Sequence, residues 1–203
     1  MPKTTSKARS GSLLDLDYVP VDVGATVWLT GLPSAGKTTI AQAVAAELRA
    51  AGRRVEVLDG DVVRETLCAD LGFSRADRDR NVARVGFVAA LLARHGVTVL
   101  APVISPYAAA RDDVRFRHQA EGLPFLEVHV ATPVEECAAR DVKGLYARQR
   151  AGELRGLTGV DDVYEPPLTP DLRLDTRGRT VEDSAREVMR LLQPDRQSQE
   201  VLR

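Results

Sequence analysis

Gly31-Leu-Pro-Ser-Ala-Gly36-Lys37-Thr38 follows the apolar run Ala25-Thr-Val-Trp-Leu-Thr30 and precedes a helical stripe of Ile40, Val44 and Leu48. It satisfies G-x-x-x-x-G-K-[ST] in full, at the junction of a predicted strand and a predicted helix. The glycines let successive backbone N–H groups converge on phosphate oxygens, and the helix N-terminus adds partial positive charge. Gly31, Leu32, Pro33, Ser34, Ala35, Gly36, Lys37, Thr38 and Thr39 are therefore the candidate ATP-binding residues. Lys37 is expected to reach the outer phosphates and Thr38 to hold Mg2+ through its hydroxyl.

Outward from this loop, strand patterns alternate with helical ones. Arg54–Leu58, Val97–Val103, Phe125–Val130 and Leu172–Asp175 read as four more strands. Helices are expected from Lys37 to Ala51, from Asp61 to about Asp70, and from a Ser74 cap to His95. Others are expected from the Ser105-Pro106 pair to about Gln119, from the Thr132-Pro133 pair to about Arg140, and from Thr180 to Gln193. The order predicts an α/β architecture of three layers: a mainly parallel five-stranded sheet with helices on both faces. Residues 1–22 read as a flexible arm, 23–195 as one domain and 196–203 as a tail. Within the domain, Asp141–Asp162 is too long for a passive connection and holds four glycines beside Lys143, Arg148, Arg150 and Arg155. Hinges with positive charge describe a lid over a polyanion.

Composition narrows the class. The 203 residues carry 28 basic and 29 acidic side chains, a formal net charge of -1, which gives no reason to expect a nucleic-acid or membrane surface. No apolar run approaches the ~18–20 residues that span a bilayer. Cys68 and Cys137 lack metal-type spacing and read as reduced core thiols, which suits the cytoplasm. Only four of the basic residues are lysines (Lys3, Lys7, Lys37 and Lys143), so within the domain an ammonium stands only in the phosphate loop and the lid. No Asn-Lys-x-Asp motif is present, which argues against a GTPase, and Val97–Val103 ends without the aspartate of a Walker B strand. A small domain with a basic lid favours phosphoryl transfer to a small molecule, the lid excluding water.

Asp59-Gly60-Asp61 follows the second strand, at the carboxyl edge where such sheets bind ligands. Asp61 could accept a proton from an attacking hydroxyl, hold metal-bound water, or cap the next helix; Asp59 could join the metal shell. In the long helix, Arg78 extends the inward stripe of Val82, Val85, Ala89 and Leu92. A buried arginine needs an anion, either an internal aspartate or a bound substrate. Asn81 neighbours it, and Phe73 just before the helix could stack on a base.

Leu58-Asp59-Gly-Asp61-Val-Val-Arg64, Leu71-Gly-Phe73-Ser-Arg-Ala-Asp-Arg78-Asp-Arg-Asn81, Ile104-Ser105-Pro106-Tyr107, Arg140-Asp-Val-Lys143-Gly-Leu-Tyr146 and Gly156-Leu157-Thr-Gly-Val-Asp161-Asp162-Val-Tyr164-Glu165 resemble, in order, the motifs of adenylylsulfate kinases. The resemblance covers about Ala25–Gln193. It implies a P-loop kinase fold, usually dimeric, and transfer of the γ-phosphoryl of ATP to the 3′-hydroxyl of adenylyl sulfate in sulfate assimilation. It further implies that Asp61 is base or metal partner. Arg64, Phe73, Arg78, Asn81, Ile104 and Ser105 would hold adenylyl sulfate, Lys143 would meet phosphates from the lid, and Arg140 would pack near the ATP adenine. The resemblance also makes Ser105 a candidate phosphoserine intermediate, as the matching serine is treated in parts of the family. With no activating base in view, direct in-line transfer is preferred, leaving Ser105 as a helix cap or ligand contact.

Two positions depart from the family pattern. Pro33-Ser34 stands where small residues are usual, which is expected to alter the stiffness of the loop more than its phosphate contacts. Leu157 stands where a lid phenylalanine closes the adenine sandwich, so Leu157→Phe is expected to strengthen adenylyl sulfate binding. On the residues alone, a kinase for another small alcohol and an idle nucleotide-binding protein stay open as alternatives.

Overall fold

In the computed structural model, which describes residues 23–192, Thr26–Thr30 (β1) is buried along its whole length. It lies between Thr98–Pro102 (β3) and Phe125–Val130 (β4), with Val55–Val57 (β2) outside β3 and Leu172–Leu174 (β5) outside β4. All four pairings are parallel. A parallel sheet must be covered on both faces, which is why β1 and β3 read as unbroken runs rather than alternating ones.

Alternate residues of β1 feed two separate cores. Val27 and Leu29 pack with Ile40, Val44 and Leu48 of Lys37–Ala50 (α1) and with Val188 of Val181–Leu191 (α7). Trp28 faces the opposite side, among Val82 and Val85 of Arg75–Arg94 (α3) and Val114 of Ala108–Ala120 (α4). At Gly86 of α3 an added Cβ would lie 2.5 Å from Val114, so these two helices meet in close contact. The remaining helices, Gly60–Glu65 (α2), Val134–Arg140 (α5) and Leu145–Arg150 (α6), are short and flank the carboxyl edge of the sheet. The five-stranded, three-layered α/β architecture is as expected from the sequence. Both cysteines are buried and free, and no helix among the described residues is long and apolar enough to cross a membrane.

Several local expectations need correction. The helix after Ser105-Pro106 begins only at Ala108, because Ser105 has a left-handed φ of 42°. Its first amide is met instead by the Glu165 carboxylate, 2.7 Å from Ala108 N. Thr132 does not cap α5; its hydroxyl donates to Ala35 O at 3.0 Å. Asp59, not Asp61, caps α2 by accepting from Asp61 N at 3.0 Å, and α2 ends at Glu65, short of Asp70. In α3 the inward stripe closes on Ala93, with Leu92 half-buried. The Ser74 and Thr180 caps form as read, each accepting from the N–H three residues on. The 141–162 segment is not wholly irregular, since it contains α6. The proposed arm at 1–22 and tail at 196–203 lie outside the described residues.

Candidate active site

The segments that follow β1, β2 and β3 all leave the same sheet edge, and they wall a cavity of about 650 Å³. That volume is within the range of small-ligand sites. The loop after β1 forms one end. At Gly31 (φ 150°) a Cβ would sit 2.5 Å from Val130 O, so only glycine permits the turn. Gly36, at φ 103°, leads into α1, whose first residues Lys37, Thr38 and Thr39 line the cavity. Lys37 is buried and donates to Gly31 O at 3.0 Å and Leu32 O at 2.7 Å.

Burial lowers the Lys37 pKa to about 8, against 10.5 for a free lysine. The unfolded chain therefore binds more protons between these values. The cost of the buried ammonium, about 3 kcal/mol, is fully present below pH 8 and fades as pH rises toward 10.5. A polyanion at the loop restores the ammonium, so nucleotide binding at pH 8.5 is expected to take up most of a proton. Calorimetry in two buffers of different ionisation enthalpy measures this; equal heats in both buffers would contradict it.

Thr38 Oγ1 donates to Asp59 Oδ2 at 2.8 Å, joining the phosphate loop to the end of β2. Asp61, in the first turn of α2, meets the ammonium of Lys143 from the 141–162 segment. The two lysines that the sequence singled out thus line the same cavity.

Arg64, Phe73, Arg78, Asn81, Ile104 and Ser105 line the other end. Arg64 donates to Gly72 O at 2.7 Å and lies 4.6 Å from the centroid of the exposed Phe73 ring. Arg78 is buried and finds an internal aspartate: Asp162 at 3.2 Å. It also donates to Phe73 O, Thr158 Oγ1 and Gly156 O at 2.7–2.9 Å. Asn81 Oδ1 is buried and has no hydrogen-bond partner among the described residues. A buried acceptor left open in this way is costly unless a ligand completes it. Ser105 Oγ accepts from Trp28 Nε1 at 3.0 Å.

Leu157 departs from its expected place. It does not line the cavity; it is 5% exposed and belongs to the core that contains Tyr146 and Ala35. The Asp161 carboxylate explains the turn, accepting from Gly156 N at 2.9 Å and Leu157 N at 2.6 Å. These amides hold the Asp161 carboxyl below its ordinary range. With the backbone so fixed, an apolar side chain gains by burial. Leu157→Phe is then an overpacking change, expected to lower the melting temperature by about 5 °C. Thermal unfolding checks this, and an unchanged midpoint with tighter adenylyl sulfate binding would restore the original expectation.

The 141–162 segment also touches the phosphate loop directly. Tyr146 donates its hydroxyl to Pro33 O at 3.0 Å. At Gly159 (φ 85°) a Cβ would meet Leu32 Cδ2 at 2.4 Å.

The sequence reading missed Thr176, Arg179, Val181 and Ser184, which line the cavity beside Arg140. Arg140 Nη1 donates to Thr176 Oγ1 at 2.9 Å, and that hydroxyl meets Thr132 Oγ1 at 2.8 Å. Their one available signal was position, because β5 ends at the same edge as β1. Among the described residues no cluster of three or more His, Cys, Asp or Glu side chains is placed to hold a metal. Thr38 and Asp59 offer two hard oxygen donors beside the phosphate loop. That set suits a cation such as Mg2+ that keeps waters and takes further ligands from phosphate.

Comparison with known proteins agrees with this geometry. The family model described as adenylylsulphate kinase matches residues 23–175. An adenylyl-sulfate kinase of Picosynechococcus sp. (strain ATCC 27264 / PCC 7002 / PR-6) is 52% identical over 169 residues, covering 83% of this chain and 93% of its own. One from Synechococcus sp. (strain JA-3-3Ab) is 54% identical over 169 residues, covering 83% and 94%. Among solved structures, a Mycobacterium tuberculosis APS kinase in complex with AMPPNP and APS superposes with a TM-score of 0.81 at 48% identity, covering 83% of this chain and 97% of that one. A hexameric APS kinase from Thiobacillus denitrificans gives 0.62 at 38% identity, covering 83% of this chain and 28% of that one. Motifs, fold and relatives converge: the chain belongs to the adenylylsulfate kinase family.

Proposed function

We propose that this cavity transfers the γ-phosphoryl of ATP to the 3′-hydroxyl of adenylyl sulfate, giving 3′-phosphoadenylyl sulfate and ADP. The carrying observation is the one cavity that joins the Gly31–Thr38 loop, the Asp61 carboxylate and the buried polar wall of Arg78, Asn81 and Ser105. The triphosphate lies against the loop amides and Lys37, with its base toward Arg140 and Thr176. Thr38 and Asp59 hold Mg2+, which when bound neutralises charge on the phosphates. Asn81 Oδ1 and Arg64 receive the acceptor, whose adenine lies on Phe73.

Asp61 accepts the proton of the 3′-hydroxyl as its oxygen bonds to the γ-phosphorus. The bond from that phosphorus to the β,γ-bridging oxygen breaks and ADP leaves. Lys143 exchanges its contact with Asp61 for the transferring phosphoryl group. The 141–162 segment acts as the lid that keeps water out.

Direct transfer is favoured over a phosphoserine at Ser105. Its oxygen accepts from Trp28 and donates to Val103 O at 3.5 Å, so among the described residues no base is placed to activate it. The reading also takes a second copy of this chain as partner, supported by the oligomeric relative from Thiobacillus denitrificans, and a cytoplasmic setting in which both thiols stay reduced.

Purified protein with magnesium ATP is expected to form ADP only when adenylyl sulfate is added, and 3′-phosphoadenylyl sulfate in equal amount. ADP formation indifferent to the acceptor would overturn the reading. Light scattering that returns a monomer mass would remove the proposed self-association.

A further inference from the structure

The lid is tied down at two buried arginines. One, Arg78, belongs to the cavity wall; the other, Arg111 of α4, is not among the residues that line it. Arg111 is 2% exposed, and its planar fork has three acceptors. Nε donates to Glu127 Oε1 of β4 at 2.9 Å, Nη1 to Ser105 O at 2.7 Å, and Nη2 to Glu165 O at 2.6 Å. Only an arginine presents donors in this geometry; a lysine is a point charge.

Each partner has a separate meaning. Glu127 is the buried counter-charge that allows the guanidinium to sit in the core, and Arg115 shares it at 3.3 Å while also holding Asp171 at 2.9 Å. Ser105 has a left-handed φ of 42°, which a non-glycine residue adopts only where its surroundings fix it. Three bonds do so here: Arg111 on Ser105 O, Trp28 on Ser105 Oγ, and Thr30 Oγ1 on Ile104 O at 2.7 Å. Glu165 is the far root of the lid. Besides Arg111 it is held by Pro106 O, 2.8 Å from Glu165 N, and by its own carboxylate on Ala108 N.

We propose that Arg111 is a positioning residue for the acceptor half of the site: it fixes the Ile104–Ser105 wall and the distal root of the lid to one buried carboxylate. The inference rests on the reading of this cavity as an adenylylsulfate kinase site. Donor and acceptor halves should respond differently to its loss. The phosphate loop is held by α1, Thr132 and Tyr146, none of which Arg111 touches, whereas Ile104, Ser105 and Pro106 line the cavity directly.

The chain offers a built-in reporter. Trp28 is its single tryptophan, and the indole N–H donates to Ser105 Oγ, so its emission follows the state of that wall.

Arg111→Met alone would leave Glu127 buried and unpaired, so the test uses Arg111→Met with Glu127→Gln, leaving Arg115 its Asp171 partner, together with Arg111→Lys. KM for adenylyl sulfate is expected to rise about tenfold in the double variant, comparable to one lost charge-assisted hydrogen bond, while KM for ATP changes less than about threefold. Tryptophan emission of the free protein shifts, and Arg111→Lys recovers part of both effects. Equal changes in the two KM values, an unchanged acceptor KM, or an unmoved emission spectrum would overturn the proposal. Failure of both variants to fold would overturn it too, making Arg111 a determinant of folding rather than of acceptor placement. Acceptor-dependent ADP formation by the unaltered protein is measured alongside; its absence defeats the functional reading itself, a result separate from any difference between variants.

Discussion

Replacing Lys37 with methionine is expected to lower kcat about a thousandfold, with no loss of stability at pH 7. The first half follows from electrostatics. Charge builds on the transferring phosphoryl group, and a preorganised donor inside an enclosed site is worth about 10²–10³ in rate; here the donor is also a full charge. The second half follows from burial. Below pH 8 the folded protein carries an ammonium that it holds poorly, as the lowered pKa of about 8 indicates. Methionine has a similar reach without the charge. Its burial offsets the loss of two hydrogen bonds to Gly31 O and Leu32 O. Steady-state kinetics and thermal unfolding at pH 7 together decide the matter. Activity above a tenth of the parent value would show that Lys37 does not meet the phosphates, and a fall of several degrees in melting temperature would show that its role is to brace the loop.

Asp61→Asn is expected to cost about 10²–10⁴ in kcat, the usual contribution of a positioned general base, with KM for both substrates nearly unchanged. The substitution is nearly isosteric, and Asp59 rather than Asp61 caps α2, so the helix keeps its start. The contact with Lys143 is lost, but both side chains are exposed and such pairs contribute little to stability. Asp59→Asn serves as the contrast. Asparagine caps a helix about as well as aspartate, so that variant should instead need more Mg2+ for half-maximal rate. If Asp61→Asn shifted the magnesium requirement and left saturating kcat intact, the two aspartates would exchange roles.

The parts of this site that sequence reading could reach are those whose chemistry is local. The turn at Gly31 to Thr38 depends on neighbouring backbone groups, and its motif states that dependence residue by residue. The Ser74 and Thr180 caps are legible for the same reason: donor and acceptor lie three positions apart. The errors fall where a distant residue decides. Ser105 looked like a helix start because serine before proline usually is one, but the α4 amide is met by Glu165, 57 positions later. Leu157 looked like a ring substitute because the motif around it aligns, whereas the Asp161 turn directs it into the core. Arg78 was recognisable as an inward arginine from helical spacing, yet nothing in α3 identified Asp162 as its partner. Arg111 gave no signal at all, since its partners stand on a strand and two loops.

The contact between Gly159 and Leu32 constrains how this protein can drift over time. The two segments touch where residue 159 has no side chain: a methyl group there would push on the end of the Leu32 side chain, and the left-handed φ of 85° would strain any residue other than glycine whatever stands at 32. Position 159 is therefore held to glycine by its own backbone, whereas position 32, which meets it through a flexible side-chain end, can change in size without a matching change at 159.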